Sequence, residues 1–154
     1  MKKSILFMTF FMLLGHTPSF AADGVQWLSL KDGLTKAKIE KRPLIVDFFY
    51  GKGCPRCESL QKNVYNDPMI SKKIMNYFVP VKIDLTKPLT AQEDALGKKF
   101  EYKNDCLLLF LDNNGELISD TKGKRLCFVD KVDPESFDSY LDMILKKYED
   151  NKAF

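Results

Sequence analysis

The chain has 154 residues, with 24 lysines and arginines, 21 acidic residues and one histidine. A chain of this length is expected to form a single domain with a hydrophobic core of its own. Its nearly balanced charge argues against a nucleic-acid-binding protein and against a protein that binds an anionic membrane surface.

The first 21 residues have the pattern of a cleaved signal peptide. Lys2 and Lys3 give a positive start, residues 5–14 form a short apolar core, and Ser19-Phe20-Ala21 is the small-x-small pattern that precedes a cleavage site. An apolar core of about ten residues is too short to cross roughly 30 Å of hydrocarbon. We therefore predict a signal peptide at residues 1–21 and one mature domain at residues 22–154, periplasmic or secreted, with no membrane insertion after cleavage.

Cleavage at that point would leave 22 basic and 21 acidic residues, and it would remove His16. Without an imidazole, the mature domain has no Ser-His or Cys-His catalytic pair and no zinc site with histidine ligands. The cysteines all lie in the mature part, where an exported protein can form lasting disulfides. There are four of them, Cys54, Cys57, Cys106 and Cys127.

Helices and strands alternate along the mature chain. Hydrophobic spacing, prolines and turn residues predict a helix at 29–41, a buried strand at 44–50, a helix from Cys54-Pro55 to about Tyr65, a helix from Asp67-Pro68, a strand at 79–85, a helix at 91–102 and a strand at 106–111. A hairpin turn at residues 112–115 then leads to strands at 116–119 and 126–129, and a last helix runs from Asp133-Pro134 to Tyr148, with residues 149–154 frayed. This order predicts an α/β domain with a mixed central sheet and helices on both faces.

Cys54-Pro55-Arg56-Cys57, at a predicted strand-to-helix junction, is the strongest chemical signal. Two residues between cysteines at a helix start bring the sulfurs within bonding distance. The unpaired N–H groups at that end favour a thiolate on Cys54, and the positive charges of Arg56 and Lys52 act in the same direction. We predict that Cys54 attacks a substrate disulfide and that Cys57, one turn into the helix, resolves the mixed disulfide. The alternatives are a plain structural bridge or half of a zinc site, although a zinc ribbon needs a second CxxC, which the sequence lacks.

Asp47 is the one carboxylate in an otherwise apolar strand. Burying a carboxylate is costly, so the residue should have a role or a partner. At the end of the strand beneath the active-site helix, it could take the proton of Cys57 during exchange, with a raised pKa. The alternative is a carboxylate at the strand's edge paired with a lysine.

Three segments carry a family resemblance: residues 41–48, Gly53 to Cys57, and Asn66-Asp67-Pro68. They resemble the thioredoxin superfamily, and within it the exported proteins similar to the C-terminal domain of the bacterial transmembrane disulfide reductase. The resemblance covers nearly all of residues 22–148. It implies a thioredoxin-like fold with Cys54 as nucleophile, Cys57 as resolving thiol and Asp47 as buried acid. The sequence departs from the family by one extra residue between the acid and Cys54, and by Gly53 where an aromatic residue is usual.

A further departure concerns Cys106. The family has a cis-proline six residues before the hairpin aspartate, facing the two active-site cysteines, and here that position is Cys106. One hypothesis is that Cys106 joins Cys54 and Cys57 in binding Cu(I), Zn(II) or an iron–sulfur cluster. A second, which we favour, is a structural or redox-relaying disulfide between Cys106 and Cys127. The third is that Cys106 is a small buried hydrophobic residue.

The sequence thus predicts an exported thiol–disulfide oxidoreductase that acts on protein thiols or disulfides through its CPRC site, without organic cofactor or bound metal. A membrane electron donor is a possible partner, and nucleic acid is not. The alternatives are a thiolate metal-binding module using the CxxC with Cys106, and an interaction protein whose CxxC no longer turns over. Pro55 and Arg56 favour the reduced form and hence an oxidising pair, whereas the resemblance implies a reductase or an isomerase.

Overall fold

The computed structural model describes residues 24–100, 108–128 and 131–152. In chain order the elements are α1 (Leu30–Glu40), β1 (Leu44–Phe49), α2 (Pro55–Leu60), a π-helical turn (Gln61–Tyr65), α3 (Pro68–Tyr77), β2 (Val79–Asp84), α4 (Ala91–Lys99), β3 (Leu108–Leu111) and α5 (Pro134–Lys152). The predicted α/β class is confirmed.

The three strands form one mixed sheet in the order β2-β1-β3, so that β1 is the central strand. β1 pairs with β2 in parallel, from Leu44 opposite Val79 to Phe49 opposite Asp84. It pairs with β3 in the antiparallel direction. Hydrophobic cores cover both faces of the sheet, and this explains why β1 is apolar along nearly its whole length.

Each face of the sheet has its own hydrophobic core. Leu44, Val46 and Phe48 of β1 pack with α1 and with the inner residues of β2 on one face. Ile45 lies on the other face, in a larger cluster with residues of α2, the π-helical turn, α3 and α5. Because side chains alternate along a strand, Asp47 lies on the same face as Ile45. The predicted cover of helices on both faces is confirmed.

Local capping sets where the helices begin. Ser29, Asp67 and Thr90 accept N–H bonds from the first turns of α1, α3 and α4, as residues with short polar side chains do at N-caps. Asp133 accepts from the Ser136 N–H at 3.0 Å, in the first turn of α5. The predicted helix from Cys54-Pro55 to Tyr65 is present, but it changes from α to π geometry after Leu60.

Two predictions about the C-terminal third are wrong. Residues 116–119 and the described part of 126–129 do not form strands; isolated bridges join Leu111 to Leu117 and Ser119 to Arg125. Tight turns around two aspartates lie beside these segments. Asp112 accepts the N–H groups of Asn114 and Glu116, and Asp120 accepts those of Lys122 and Lys124. Of these donors, only the Glu116 N–H lies in a predicted strand, where its bond to Asp112 removes it from strand pairing.

The last helix is longer than expected, because α5 continues to Lys152 instead of fraying after Tyr148. In the part of the chain that the structure describes, no helix is both long and apolar enough to span a bilayer. The predicted signal peptide lies outside the described residues.

Replacing Asp67 tests the cap of α3, because its Oδ1 accepts the N–H groups of Met69 at 2.9 Å and Ile70 at 3.0 Å. Asp67→Ala should lower the free energy of unfolding by about 1 kcal/mol, whereas Asp67→Asn should keep most of it, since asparagine caps equally well. Urea unfolding of the three proteins measures this. Equal midpoints for Asp67→Ala and the wild type would contradict the assignment.

Candidate active site

The CxxC motif follows β1 and begins α2. Cys54 is the N-cap of α2 and Pro55 its first residue. The two cysteines are disulfide-bonded, with 5.3 Å between their Cα atoms. The N–H of Cys57 donates to Sγ of Cys54 at 3.2 Å. Cys57 is 5 % exposed, while Cys54 is only partly buried. The geometry therefore presents Cys54 to solvent at a helix N-terminus and encloses Cys57 in the core.

The turn before Cys54 depends on two glycines with left-handed backbone, Gly51 at φ 89° and Gly53 at φ 88°. A β-carbon on Gly51 would lie 2.5 Å from the Cγ2 of Thr86, whereas one on Gly53 would meet nothing within 4 Å. The space before Cys54, where the resembled family carries an aromatic residue, is thus open. The N–H of Gly53 donates to Oε1 of Glu58 at 3.1 Å, which ties the turn to the first turn of α2.

The two predicted cations differ in their surroundings. Lys52 is exposed in the turn. Arg56 is partly buried; its guanidinium donates to the carbonyl of Phe128 and lies 5.5 Å from the centre of that ring. Arg56 therefore fastens the start of α2 to the segment at residues 126–128.

Asp47 lies in the interior of β1 and is 4 % exposed. It is neither at the end of the strand nor at an edge of the sheet, so both predicted positions are wrong. Its face of the sheet is the one covered by the cluster that contains Cys57, Val64 and Tyr65. The pairing with a lysine, which the alternative hypothesis included, is present, with the carboxylate buried and the lysine side chain 23 % exposed.

That lysine is Lys82, which lies directly opposite Asp47 in the parallel β1–β2 register. Its Nζ is 3.7 Å from Oδ2 of Asp47. The ammonium also lies 4.6 Å from the centre of the Trp27 ring and 5.4 Å from that of Phe49. Aromatic faces attract a cation, so these rings hold Lys82 beside the carboxylate.

Tyr65 is the second partner of Asp47. Its hydroxyl donates to Oδ1 at 3.3 Å, and Tyr65 itself is 1 % exposed. Burial raises the pKa of Asp47 from its usual 3.8 to about 6, against the opposing effects of the Lys82 charge and of the hydrogen bonds from Tyr65 and Lys82. Burial, followed by the charge of Asp47, raises the pKa of Tyr65 well above its usual value. Tyr65 is therefore a neutral donor, while Asp47 changes charge just below neutral pH.

Lys82 and Tyr65 were not among the predicted site residues. For Lys82 the signal was a basic residue inside the predicted strand at 79–85, which also carries Asp84. For Tyr65 there was no such signal, because regular α-helical spacing places residue 65 roughly 80° around the helix from Cys57.

The remaining cysteines are described only in part. Cys127 is half-buried and disulfide-bonded. Cys106 lies outside the described residues, so the Cys106–Cys127 bridge and the three-cysteine metal site both stay predictions. Within the described ranges, no three Cys, His, Asp or Glu side chains are grouped so that they could hold a metal ion.

Comparison with known proteins places this geometry in a family. The family model of a thioredoxin-like domain matches residues 30–126. The chain belongs to the thioredoxin-like family. A thioredoxin-like chain with a bonded CxxC pair at a helix start is a thiol–disulfide oxidoreductase, as predicted.

Solved structures show the same fold. The chain is similar to the DsbH oxidoreductase, with a TM-score of 0.63 and 19 % identity over 86 % of this chain and 92 % of that one. It is similar to a "putative disulphide-isomerase" of Bacteroides thetaiotaomicron, with a TM-score of 0.53 and 28 % identity over 82 % and 91 %. It is also similar to the C-terminal domain of Neisseria meningitidis DsbD, with a TM-score of 0.56 and 17 % identity over 77 % and 98 %. A comparison with curated proteins gave no match.

The raised pKa of Asp47 predicts a pH-dependent stability difference. A carboxyl whose pKa is higher in the folded state stabilises the fold fully below pH 3.8, and this stabilisation is lost as the pH rises through about 6. Asp47→Asn stays neutral at every pH. Its free energy of unfolding should therefore rise relative to that of the wild type as the pH increases, by on the order of 2–3 kcal/mol between pH 3.5 and pH 7. Urea unfolding of both proteins at several pH values measures the gain. A difference that does not vary with pH would show that Asp47 titrates normally.

Proposed function

We propose that the protein is an exported oxidoreductase that exchanges disulfides with protein substrates through Cys54 and Cys57, with no organic cofactor and no metal. The observation that carries this proposal is the Cys54–Cys57 pair at the N-terminus of α2, one sulfur accessible and the other enclosed. The similarity to the Bacteroides thetaiotaomicron protein whose structure is titled a "putative disulphide-isomerase", at 28 % identity, supports protein disulfides as the substrate class.

In the reducing direction, the thiolate of Cys54 attacks one sulfur of the substrate disulfide. A mixed disulfide forms, and the other substrate sulfur leaves as a thiolate. Cys57 then loses its proton and attacks Sγ of Cys54, closing the Cys54–Cys57 disulfide and releasing the second substrate thiolate. The substrate gains the two electrons that the cysteine pair loses. In the oxidising direction the same steps run backwards.

Asp47 is the proposed acceptor of the Cys57 proton. It lies on the face of β1 covered by the cluster that contains Cys57. A pKa of about 6 leaves it mostly ionised at neutral pH, yet basic enough to take a proton from a thiol. Lys82 stabilises its ionised form from the side of β2.

The second disulfide and the export of the chain complete the proposal. A bridge between Cys106 and Cys127 is supported by the bonded state of Cys127 and by the even number of cysteines. Export is supported by the pattern of residues 1–21. For exchange in the reducing direction, the proposed partner is a membrane protein that supplies electrons.

Serine variants of the two active-site cysteines test the exchange reaction. Cys54→Ser should reduce insulin at the uncatalysed rate, because no nucleophile remains at the helix start. Cys57→Ser should form a mixed disulfide with insulin that persists, because no thiol resolves it. Turbidity and non-reducing mass spectrometry measure these outcomes. Turnover by Cys54→Ser equal to that of the wild type would refute the proposal.

Thiol counting separates the second disulfide from a metal site. Alkylation of the oxidised protein should find no free thiol among its four cysteines, because two bridges are expected. Two free thiols would end the idea of a Cys106–Cys127 bridge. Stoichiometric zinc, copper or iron in reduced protein purified without chelators would favour the metal-binding alternative, and Cys106→Ala is then the matched variant that should lose the metal.

Export is tested by expressing the full chain in bacteria and sequencing the N-terminus of the periplasmic protein. The expected mature N-terminus is Ala22. Leu13→Arg, which places a charge in the apolar core of the signal, should leave the chain uncleaved in the cytoplasm. Equal cleavage of both chains, or retention of the wild type with Met1 in place, would contradict the assignment.

A further inference from the structure

The carboxylate of Asp47 has a different partner on each oxygen. Oδ2 faces the ammonium of Lys82 at 3.7 Å, and Oδ1 accepts the hydroxyl of Tyr65 at 3.3 Å. An ion pair alone would leave the carboxylate free to rotate about its bond to Cβ. Two partners on two sides fix its plane.

The ring of Tyr65 is itself held in place. It packs edge-on against Trp27, with 4.9 Å between ring centres, and against Phe137 at 6.2 Å. Tyr65 is the last residue of the π-helical turn, and the N–H of Asn66 donates to the carbonyl of Gln61 to close that turn. A π-helical turn contains one more residue than an α-helical turn, and such turns often occur at functional sites. Here the turn buries Val64 and Tyr65 side by side and directs the phenol to Asp47.

We propose that the Tyr65 hydroxyl is a positioning group for the proton-accepting carboxylate of Asp47, stabilising its ionised form during resolution of the mixed disulfide by Cys57. This inference rests on the proposed function, because it assigns Tyr65 to the step in which Asp47 takes the proton. Tyr65 acts through Asp47 and does not itself exchange a proton.

The charged and titratable groups around Asp47 come from several elements. Lys82 faces it from β2, Tyr65 from the π-helical turn, and Cys57 belongs to the cluster that α2 places on the same face. Arg56, at the start of α2, lies close enough to Tyr65 to oppose part of the rise in the pKa of that phenol. On β3, the residue opposite Asp47 is the apolar Leu108.

Loss of the Tyr65 hydroxyl should raise the pKa of Asp47. Without the donor on Oδ1, the ionised form of Asp47 loses a hydrogen bond and the neutral form becomes more favourable, so the pKa of Asp47 rises. In the pH–rate profile of the resolving step, the acid limb should then move to higher pH by about one unit, since hydrogen bonds to charged groups are among the strong ones. Above that limb the rate should equal that of the wild type.

Tyr65→Phe tests the proposal, because it removes the hydroxyl and keeps the ring. Reduced protein is mixed with glutathione disulfide and quenched with acid, and mass spectrometry follows the decay of the mixed disulfide between pH 5 and 8. Tyr148→Phe is the matched control: it also removes a buried hydroxyl, whose oxygen lies 2.7 Å from the Lys41 carbonyl oxygen and 2.9 Å from Oδ1 of Asn113, away from the site. Carboxyl carbon NMR of Asp47 in reduced protein reports its titration directly.

We expect a shifted acid limb and a shifted Asp47 titration in Tyr65→Phe, and neither in Tyr148→Phe. A uniform loss of rate at every pH, or an unshifted titration, would overturn the role of Tyr65 and leave the cysteine chemistry intact. An Asp47→Asn variant that resolves the mixed disulfide normally would instead remove Asp47 from the proposed mechanism.

If Tyr65→Phe does not fold, 3-fluorotyrosine at position 65 keeps the hydroxyl and strengthens it as a donor. The limb should then shift to lower pH, and an unchanged or raised limb would again count against Tyr65.

Discussion

The burial of one carboxylate, Asp47, is the constraint on which the site depends. It occupies a central strand whose other side chains are apolar, where an unpaired charge is strongly disfavoured. Its partners come from separate parts of the chain. The parallel register of β2 supplies Lys82, and the π-helical turn supplies Tyr65. The same helical segment that carries the turn also carries Cys57, so the pairing of strands, the geometry of the helix and the chemistry of the thiols are linked through this one side chain.

The arrangement trades stability for reactivity. At neutral pH, a neutral residue at position 47 would be buried without the cost of desolvating a charge. Asp47 is desolvated in the core, and its pKa is raised to about 6. The same desolvation makes the carboxylate a stronger base than an exposed aspartate, and therefore better matched to a thiol proton. Lys82 limits the rise in pKa: without the ammonium, burial would favour the protonated acid, which accepts no further proton.

Much of the fold could be predicted because its signals are local. Pro55, Asp67 and Thr90 mark helix starts through their own backbone and side-chain chemistry, and the charge of Asp47 is conspicuous in an apolar strand. Lys82 and Tyr65 could not be assigned to the site, because their contacts depend on the β1–β2 register and on one π-helical turn, neither of which the residue pattern specifies. The two C-terminal strands were overpredicted for a related reason. At the start of the first of these segments, the Asp112 carboxylate binds the Glu116 N–H, and a pattern of apolar residues does not show such competition.

The geometry also bears on the role proposed for Cys54 as a nucleophile. The sequence suggested that Arg56 acts as a neighbouring cation, but its guanidinium binds the Phe128 carbonyl and the Phe128 ring. The group that points at Sγ of Cys54 is the backbone N–H of Cys57, at 3.2 Å. In the proposed mechanism, a thiolate on Cys54 would therefore be stabilised by the end of the helix, and Arg56 would contribute by fastening that end to the segment that carries the bonded Cys127. Because the helix start is held from both sides, by Arg56 on Phe128 and by Gly53 on Glu58, the N–H groups that favour the thiolate are already in place before any substrate binds.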